Sequence, residues 1–321
     1  MNWIKPKTFA AKHKEQNIRM ASRSGGIFTA LTDLVLAENG VIYGCCLNEN
    51  FEAIHIRTDS IEGRNKMRGS KYVQSVIGNT FCLAKKDLDE GKKVLFSGTP
   101  CQISGLKSFL GKDYDNLLCV DIVCHGVPSP LLWEKYLKWQ GQKHGAVVKV
   151  DFRNKVDFGW ADHVETLFIK TKNGKLKKVN SKVYTNLFYS HSFLRPCCYN
   201  CPYKSTIHPG DITLADYWGI EKAAPGFNDN KGVSLVLINN QKGLDYFNET
   251  KESIIYVETR IEDSMRPSLE KPFPEPENRE IMWKLLWNSP FDILARNYGR
   301  YGIKYKVKDY LRNIKHKLLD K

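Results

Sequence analysis

Lys93-Val-Leu-Phe-Ser-Gly-Thr-Pro-Cys-Gln102 and, one helix length later, Asn116-Leu-Leu-Cys-Val-Asp-Ile-Val-Cys-His-Gly-Val-Pro128 decide the fold. Residues 93–97 are an apolar run of strand length, Gly98-Thr99-Pro100 reads as a turn, 101–110 as a helix and 116–123 as a second strand. That order predicts a βαβ crossover. Such crossovers join parallel strands through right-handed connections, so both strands finish on the same edge of the sheet. Cys101 and Cys124 stand just past those two ends, where open α/β sheets bind ligands.

Working outward, residues 27–38 place Ile27, Leu31, Leu34 and Val35 on one helical face, and 41–47 follow as a strand. A second helical pattern covers 77–89 and stops at Gly91. The later sequence is antiparallel in character. Residues 146–153 and 164–170 alternate, and Lys172-Asn-Gly-Lys175 is a hairpin turn before 176–180. A short aromatic helix near 184–194, strands at 211–216 and 233–238, and a helical region from about 278 complete the pattern. The expected fold class is α/β: a parallel or mixed sheet with the crossover, an antiparallel extension and a basic helical C-terminal tail. The expected division is 1–145, 146–275 and 276–321.

The chain has 321 residues, 42% hydrophobic and 12% aromatic. It exceeds the roughly 100–200 residues of one domain, and its composition excludes a disordered or fibrous protein. No stretch approaches a membrane span, and the first residues lack the apolar core of a secretory signal, so a cytoplasmic location is expected. Nine cysteines in such a chain point to packing, metal or redox chemistry rather than a disulfide framework. The net charge of +14 concentrates in residues 1–24, 143–182 and 300–321. It would attract nucleic acid, an anionic bilayer, a phosphate-rich cofactor or an acidic electron carrier.

The strongest constellation adds Cys198-Tyr-Asn-Cys201, flanked by Pro196 and Pro202, to Cys101 and Cys124. Four thiolates suit an iron-sulfur cluster or zinc. Single cysteines at strand ends favour the former over the paired knuckles of zinc ribbons. Cys197 adjoins Cys198, and neighbouring side chains in extended backbone point oppositely, so only one of them is expected as a ligand. Cys45, Cys46, Cys82 and Cys119 are expected to pack in the interior.

Ser22-Arg-Ser-Gly-Gly26 precedes the helix at 27 and offers Ser22, Ser24, Gly25 and Gly26 as a pyrophosphate seat, with Ser24 as a plain N-cap the equal alternative. Arg68-Gly-Ser-Lys-Tyr-Val-Gln-Ser75 adds a second polar segment with cationic donors and a ring, and Ser97-Gly98-Thr99 a third at a strand end. His125 beside Cys124 is positioned to relay protons or to support the neighbouring thiolates. The segment 211–219 ends in Asp216-Tyr-Trp-Gly219, where a planar ring can stack on Tyr217 or Trp218, or where the aromatics close the core.

These segments, with Lys231-Gly-Val-Ser-Leu-Val-Leu237, together resemble the coenzyme F-420 hydrogenase/dehydrogenase beta subunit family over roughly residues 9–250. The family includes subunits of deazaflavin-reducing hydrogenases and formate dehydrogenases, and bacterial members associated with surface polysaccharide genes. The resemblance implies a flavin and iron-sulfur oxidoreductase carrying FAD and a 4Fe-4S cluster. The family's Thr-Pro-Cys, Cys-His-Gly and Pro-x-Cys-x2-Cys fall on Cys101, Cys124, Cys198 and Cys201, and Cys197 stands where a small residue is usual. It implies that Ser22, Ser24, Gly25, Gly26, Arg68, Ser70, Lys71, Tyr72, Gln74, Ser97, Gly98, Thr99, Asp216, Trp218 and Lys231 lie near FAD; His125, from its place beside Cys124, is the expected catalytic residue, hydrogen-bonding a cofactor or relaying protons.

Many family members begin with a ferredoxin-like module, yet no cysteine precedes Cys45. An acidic ferredoxin or redox partner subunit is therefore the expected electron donor or acceptor, with a small molecule or a deazaflavin as substrate. The rival reading is a zinc-stabilised module for nucleic acid or another polyanion. It requires a continuous basic and aromatic face that the α/β patterning does not provide, so no nucleic-acid partner is expected. Peripheral membrane contact through residues 300–321 competes with a solvated helical tail.

Overall fold

A computed structural model describes residues 3–303 and 305. The remainder of the expected basic tail, from 306 onward, lies outside the described residues. In chain order the strands are β1 (Lys7–His13), β2 (Val41–Leu47), β3 (Ala53–Thr58), β4 (Val94–Gly98), β5 (Leu117–Ile122), β6 (Ala146–Asp151), β7 (Glu165–Lys170), β8 (Leu176–Ser181), β9 (Ile212–Asp216), β10 (Ser234–Ile238) and β11 (Ile254–Thr259). The α-helices are α1 (Gln16–Ala21), α2 (Ile27–Ala37), α3 (Ile61–Met67), α4 (Thr80–Asp89), α5 (Pro100–Leu110), α6 (Pro130–His144), α7 (Lys155–Phe158), α8 (Val183–Tyr189), α9 (Ile220–Ala223), α10 (Gln241–Glu249), α11 (Arg279–Asn288) and α12 (Phe291–Asn297).

The chain divides into two compact units, each assembled from separated segments: 1–127, 153–162 and 196–273 in the first, 128–152, 163–195 and 274–321 in the second. The first unit holds an eight-stranded mixed sheet in the order β11-β1-β10-β9-β5-β4-β2-β3. β4 and β5 are parallel neighbours, Val94 opposite Leu117 and Gly98 opposite Asp121, so the crossover read from the sequence is present. β2 and β9 extend the parallel run on either side. The antiparallel pairs of β1 with β10 and β11, of β10 with β9 and of β2 with β3 make the sheet mixed.

Both faces of this sheet are covered, which explains why its strands read as continuous apolar runs. Leu95 and Val236 pack with Leu31 and Val35 of α2 and Phe247 of α10 on one face. Val94 and Phe96 pack with Leu88 of α4 and Ile103 and Leu106 of α5 on the other. Adjacent residues of β4 thus serve opposite cores, as the period of two requires. Helix α5 is set by Thr99 and Pro100 at its start: the Thr99 amide donates to Gln102 Oε1 at 2.9 Å, and proline occupies a position whose amide would have no helical partner.

The second unit carries the antiparallel sheet β6-β7-β8, with Lys170 opposite Leu176 at the hairpin expected from Asn173-Gly174. Its core gathers around buried Glu165, which accepts from the Tyr184 amide at 2.9 Å, the Thr185 amide at 3.2 Å and the Tyr136 hydroxyl at 3.1 Å. Burial pushes this carboxyl up, against the pull of those donors. Tyr136 and Tyr184 pack in turn with Trp133 and Phe152, ring centroids 4.6–5.9 Å apart. The aromatic helix expected at 184–194 is shorter, Val183–Tyr189, because His191 takes a left-handed φ of 63° and ends it.

Candidate functional site

The first unit brings the four selected cysteines into one electrostatic neighbourhood. Cys124 interacts with Cys101 and Cys198, and Cys201 with Cys101. Their positions follow from the fold: Cys101 opens α5, Cys124 follows β5, and Cys198 and Cys201 lie on or just beyond the 3-10 turn Pro196–Asn200. Burial pushes the Cys124 thiol up to about 12, with the Gly126 amide, 3.4 Å from its sulfur, working the other way. Cys198 and Cys201 are raised by burial too, opposed by backbone amides of Val127 and Tyr203. Cys101 is exposed, its sulfur 3.1 Å from Thr99 Oγ1.

This donor set fits an iron-sulfur cluster in its chemistry. Three of the four sulfurs accept backbone amides, and N–H···S bonds are a principal means by which proteins tune such clusters. Among the described residues, no three His, Cys, Asp or Glu side chains form a ready-made metal cage. Lys204 lies beside the group, its amine lowered by burial and raised again by Cys124, Cys201 and Cys198. It donates to the His125 carbonyl at 2.9 Å and sits 4.4 Å from the centre of the Phe273 ring, against which the His125 ring also packs at 4.4 Å. Cys197 is exposed.

Of the cysteines expected to pack, Cys46 and Cys119 are buried and Cys45 half-buried, its thiol pushed up to about 11 by burial. Cys82 is a correction. It lies on α4, as expected, but on the solvent side, because Thr80, Ala84, Asp87 and Leu88 form the buried face.

A second corner is organised by Arg153, which follows the β6 strand in sequence and is 4% exposed. Its Nη1 donates to Asp216 Oδ2 at 2.5 Å and to the Tyr72 hydroxyl at 3.4 Å, and its guanidinium lies 5.2 Å from the centre of Trp218. Trp218 stacks on Trp160 at 4.6 Å, and Trp160 Nε1 donates to Asp216 Oδ1 at 2.7 Å. Arg266 donates to the Asp216 carbonyl at 2.7 Å. Arg23 donates to the carbonyls of Arg153 and Trp160. Burial alone would push the Asp216 carboxyl up, but Arg153 and Arg23 hold it below the usual carboxylate range.

The expected segments 22–26, 68–75 and 216–218 thus meet through Arg153. Lys231 joins them through Lys155, whose amine donates to the carbonyls of Arg19, Ser24 at 3.2 Å and Lys231 at 2.8 Å. Burial, then Arg23 and Arg19, lower Lys155 to about 7. Sequence reasoning missed Arg153, Trp160, Lys155 and Arg266. The charged Arg153-Asn-Lys155 immediately after an alternating strand is the signal that was available, since a strand end is where a charge has a reason to turn inward.

Several residues of the expected phosphate seat are occupied within the protein. Ser22 Oγ donates to the Ile18 carbonyl, Ser24 Oγ to Val233, and the Gly25 amide to Ser234 Oγ at 2.9 Å. Ser24 is not the cap of α2; Gly26 holds that position with φ of 90°. Arg68 Nε donates to Thr29 Oγ1 at 3.0 Å, and Lys71 caps the end of α3 by donating to the carbonyls of Met67 and Arg68. Ser70 and Gln74 are half-buried on the same segment. Ser75 accepts from Gln102 at 2.9 Å, so the first turn of α5, which carries Cys101, touches this segment. The Ser97 carbonyl faces His55 Nε2 at 3.1 Å, and Gly98 admits Gln102, whose Oε1 would lie 3.0 Å from a Cβ there. Tyr217, expected as a stacking ring, is fully buried and bonded to Thr259 at 2.9 Å, so Trp218 is the ring of this pair that remains.

No curated protein matches. Among solved structures, a chain of the F-420-reducing NiFe hydrogenase complex from Methanosarcina barkeri is similar at 19% identity, with a TM-score of 0.51 over 82% of this chain and 85% of that one, a likeness of fold. The family model for the carboxyl-terminal part of the coenzyme F-420 hydrogenase/dehydrogenase beta subunit matches residues 91–264, which contain all four cysteines, Arg153 and Asp216. With more than half of its length matched, the chain belongs to the coenzyme F-420 hydrogenase/dehydrogenase beta subunit family, a family of redox subunits.

Proposed function

We propose that this redox subunit passes electrons between a 4Fe-4S cluster on Cys101, Cys124, Cys198 and Cys201 and an FAD held near Arg153, and delivers them to a small organic substrate or a deazaflavin-type coenzyme. The observation that carries this reading is that each of the four sulfurs has its own hydrogen-bond partner: Thr99 Oγ1, and the amides of Gly126, Val127 and Tyr203. Buried thiols resist ionisation, and the amides at Cys124, Cys198 and Cys201 oppose that resistance. When bound, the cluster supplies one-electron steps and the flavin a two-electron exchange.

The chain's own residues then have separable tasks. Lys204 sits next to the sulfurs and, through the His125 carbonyl, fixes the backbone after Cys124. Arg153 and Asp216 hold Trp218 in place as a stacking platform. Arg153, Arg23 and Arg266 supply more positive charge than Asp216 balances, which suits the phosphates of a dinucleotide. His125 is assigned as the proton-handling group beside the sulfurs. An acidic ferredoxin or partner subunit is the proposed electron carrier, and the cytoplasm the proposed location.

Anaerobic purification with an absorption spectrum and metal analysis tests this reading. Flavin bands together with iron and acid-labile sulfide are the expected result. Zinc without flavin would replace it with the polyanion-binding alternative.

A further inference from the structure

The cation-rich stretch between 143 and 182 is only partly used by the site above. Between 166 and 182 there are six lysines and no Asp, Glu or Arg. All six, Lys170, Lys172, Lys175, Lys177, Lys178 and Lys182, are exposed. The hairpin displays them in a fixed order, with Ile169 opposite Lys177 and Phe168 opposite Lys178. Thr171 ties its tip by donating its amide to the Lys175 carbonyl at 2.9 Å. Leu167 and Ile169 are fully buried, so the alternate positions form the outer face. There Phe168 lies between Lys149 and Lys178, whose amines are 5.0 and 5.8 Å from its ring centre. Leu176, first residue of β8, is 74% exposed amid these charges.

We propose that the β7–β8 hairpin is a peripheral docking face for an anionic lipid bilayer. Its cations are all lysine. Protein interfaces enrich Arg and deplete Lys, and paired recognition of a carboxylate or phosphate uses the guanidinium fork. A bilayer presents instead a diffuse negative field that hydrated ammonium groups feel without registry, each contributing about fivefold in affinity near the surface. Leu176, set among them, is the apolar side chain that enters the boundary between headgroups and acyl chains. Lys170 lies directly opposite Leu176 and Lys149 opposite Phe168, so Lys149, Lys170, Lys178 and Leu176 share this one face. No described helix is long and apolar enough to cross a membrane, so this contact is with the surface.

The test is co-sedimentation of the full chain with phosphatidylcholine vesicles, with and without phosphatidylglycerol, at low and high salt. Binding is expected only with the anionic lipid and only at low salt. Lys149→Gln/Lys170→Gln/Lys178→Gln should lower partitioning about 100-fold. The matching Lys→Arg variant should keep it, and Leu176→Ser should reduce it further, with unchanged circular dichroism throughout. Equal binding by the Gln variant would overturn the proposal, as would binding to neither vesicle. Vesicle binding that is unchanged while capture of an acidic ferredoxin is lost would make the face a protein interface. Unchanged vesicle binding with new self-association would show that the lysines only guard the edge strand β8.

Discussion

Arg153 and Asp216 form a buried ion pair, with side chains 2% and 12% exposed and a 2.5 Å contact between Nη1 and Oδ2. They come from segments far apart in the chain. The pair joins 153–162 to the carboxyl end of β9 within the first unit, and every expected flavin-side segment except 97–99 reaches it directly or through one neighbour.

Removing one partner of such a pair leaves the other charge buried and unpaired, at a cost of about 3–5 kcal/mol. Asp216→Asn is therefore expected to lower the thermal midpoint strongly, and Arg153→Met/Asp216→Leu to recover part of the loss. If the double variant falls by the sum of the single losses, the two residues are not coupled.

The cysteine assignment separates Cys124 from Cys82. Cys124→Ser should reduce iron and sulfide per chain after anaerobic purification, because it removes one of the four proposed ligand sulfurs. Cys82→Ser, on the exposed side of α4, should leave both unchanged. Equal loss in the two variants would show the ligand set to be misassigned.

Lys155 predicts a pH dependence whose sign can be worked out. Its folded value, about 7, lies below the unfolded value near 10.4, so between these limits the unfolded chain binds more protons and stability rises with pH. Lys155→Met is expected to lose that slope between pH 7 and about 10 in urea titrations. It should also be less stable at pH 9, because the carbonyls of Arg19, Ser24 and Lys231 lose their donor. Parallel slopes in the two proteins would refute the assignment.

The parts of the fold that could be read in advance are those where one physical signal dominates. Val94–Gly98 and Leu117–Ile122 are buried on both faces and therefore apolar throughout, and Asn173-Gly174 has little use other than a hairpin turn. β1 was not legible because Lys7-Thr-Phe-Ala-Ala-Lys-His13 has no alternation; it sits between β10 and β11, where alanines suffice. Helix α6 was also passed over, although Ser129-Pro130 is a start signal and Ser129 Oγ does accept from the Leu131 amide. In the site, the places of Cys101 at the start of α5 and of Cys124 after β5 could be read from the crossover. Those of Arg153 and Lys155 could not, since a buried cation and a solvated one look alike until their partners, distant in sequence, are known.

Gly25 carries the last prediction, because two explanations of one glycine differ in outcome. As a phosphate seat, it would be glycine so that a ligand can approach. In the structure a Cβ there would meet the Ala11 carbonyl at 2.3 Å and the Ser234 amide at 2.8 Å, both backbone atoms of β1 and β10 that cannot turn aside. Its own carbonyl accepts from the His13 amide at 2.7 Å, so the residue cannot shift without loosening β1. Gly25→Ala should therefore lower thermal stability by about 1–3 kcal/mol or more, the cost of overpacking. Gly69→Ala, where φ is 80° but the space is open, should incur only the roughly 1–2 kcal/mol of left-handed strain. Flavin loss from Gly25→Ala at unchanged melting temperature would return this glycine to the ligand; a melting-point drop in the flavin-free protein assigns it to the packing of β1 against β10.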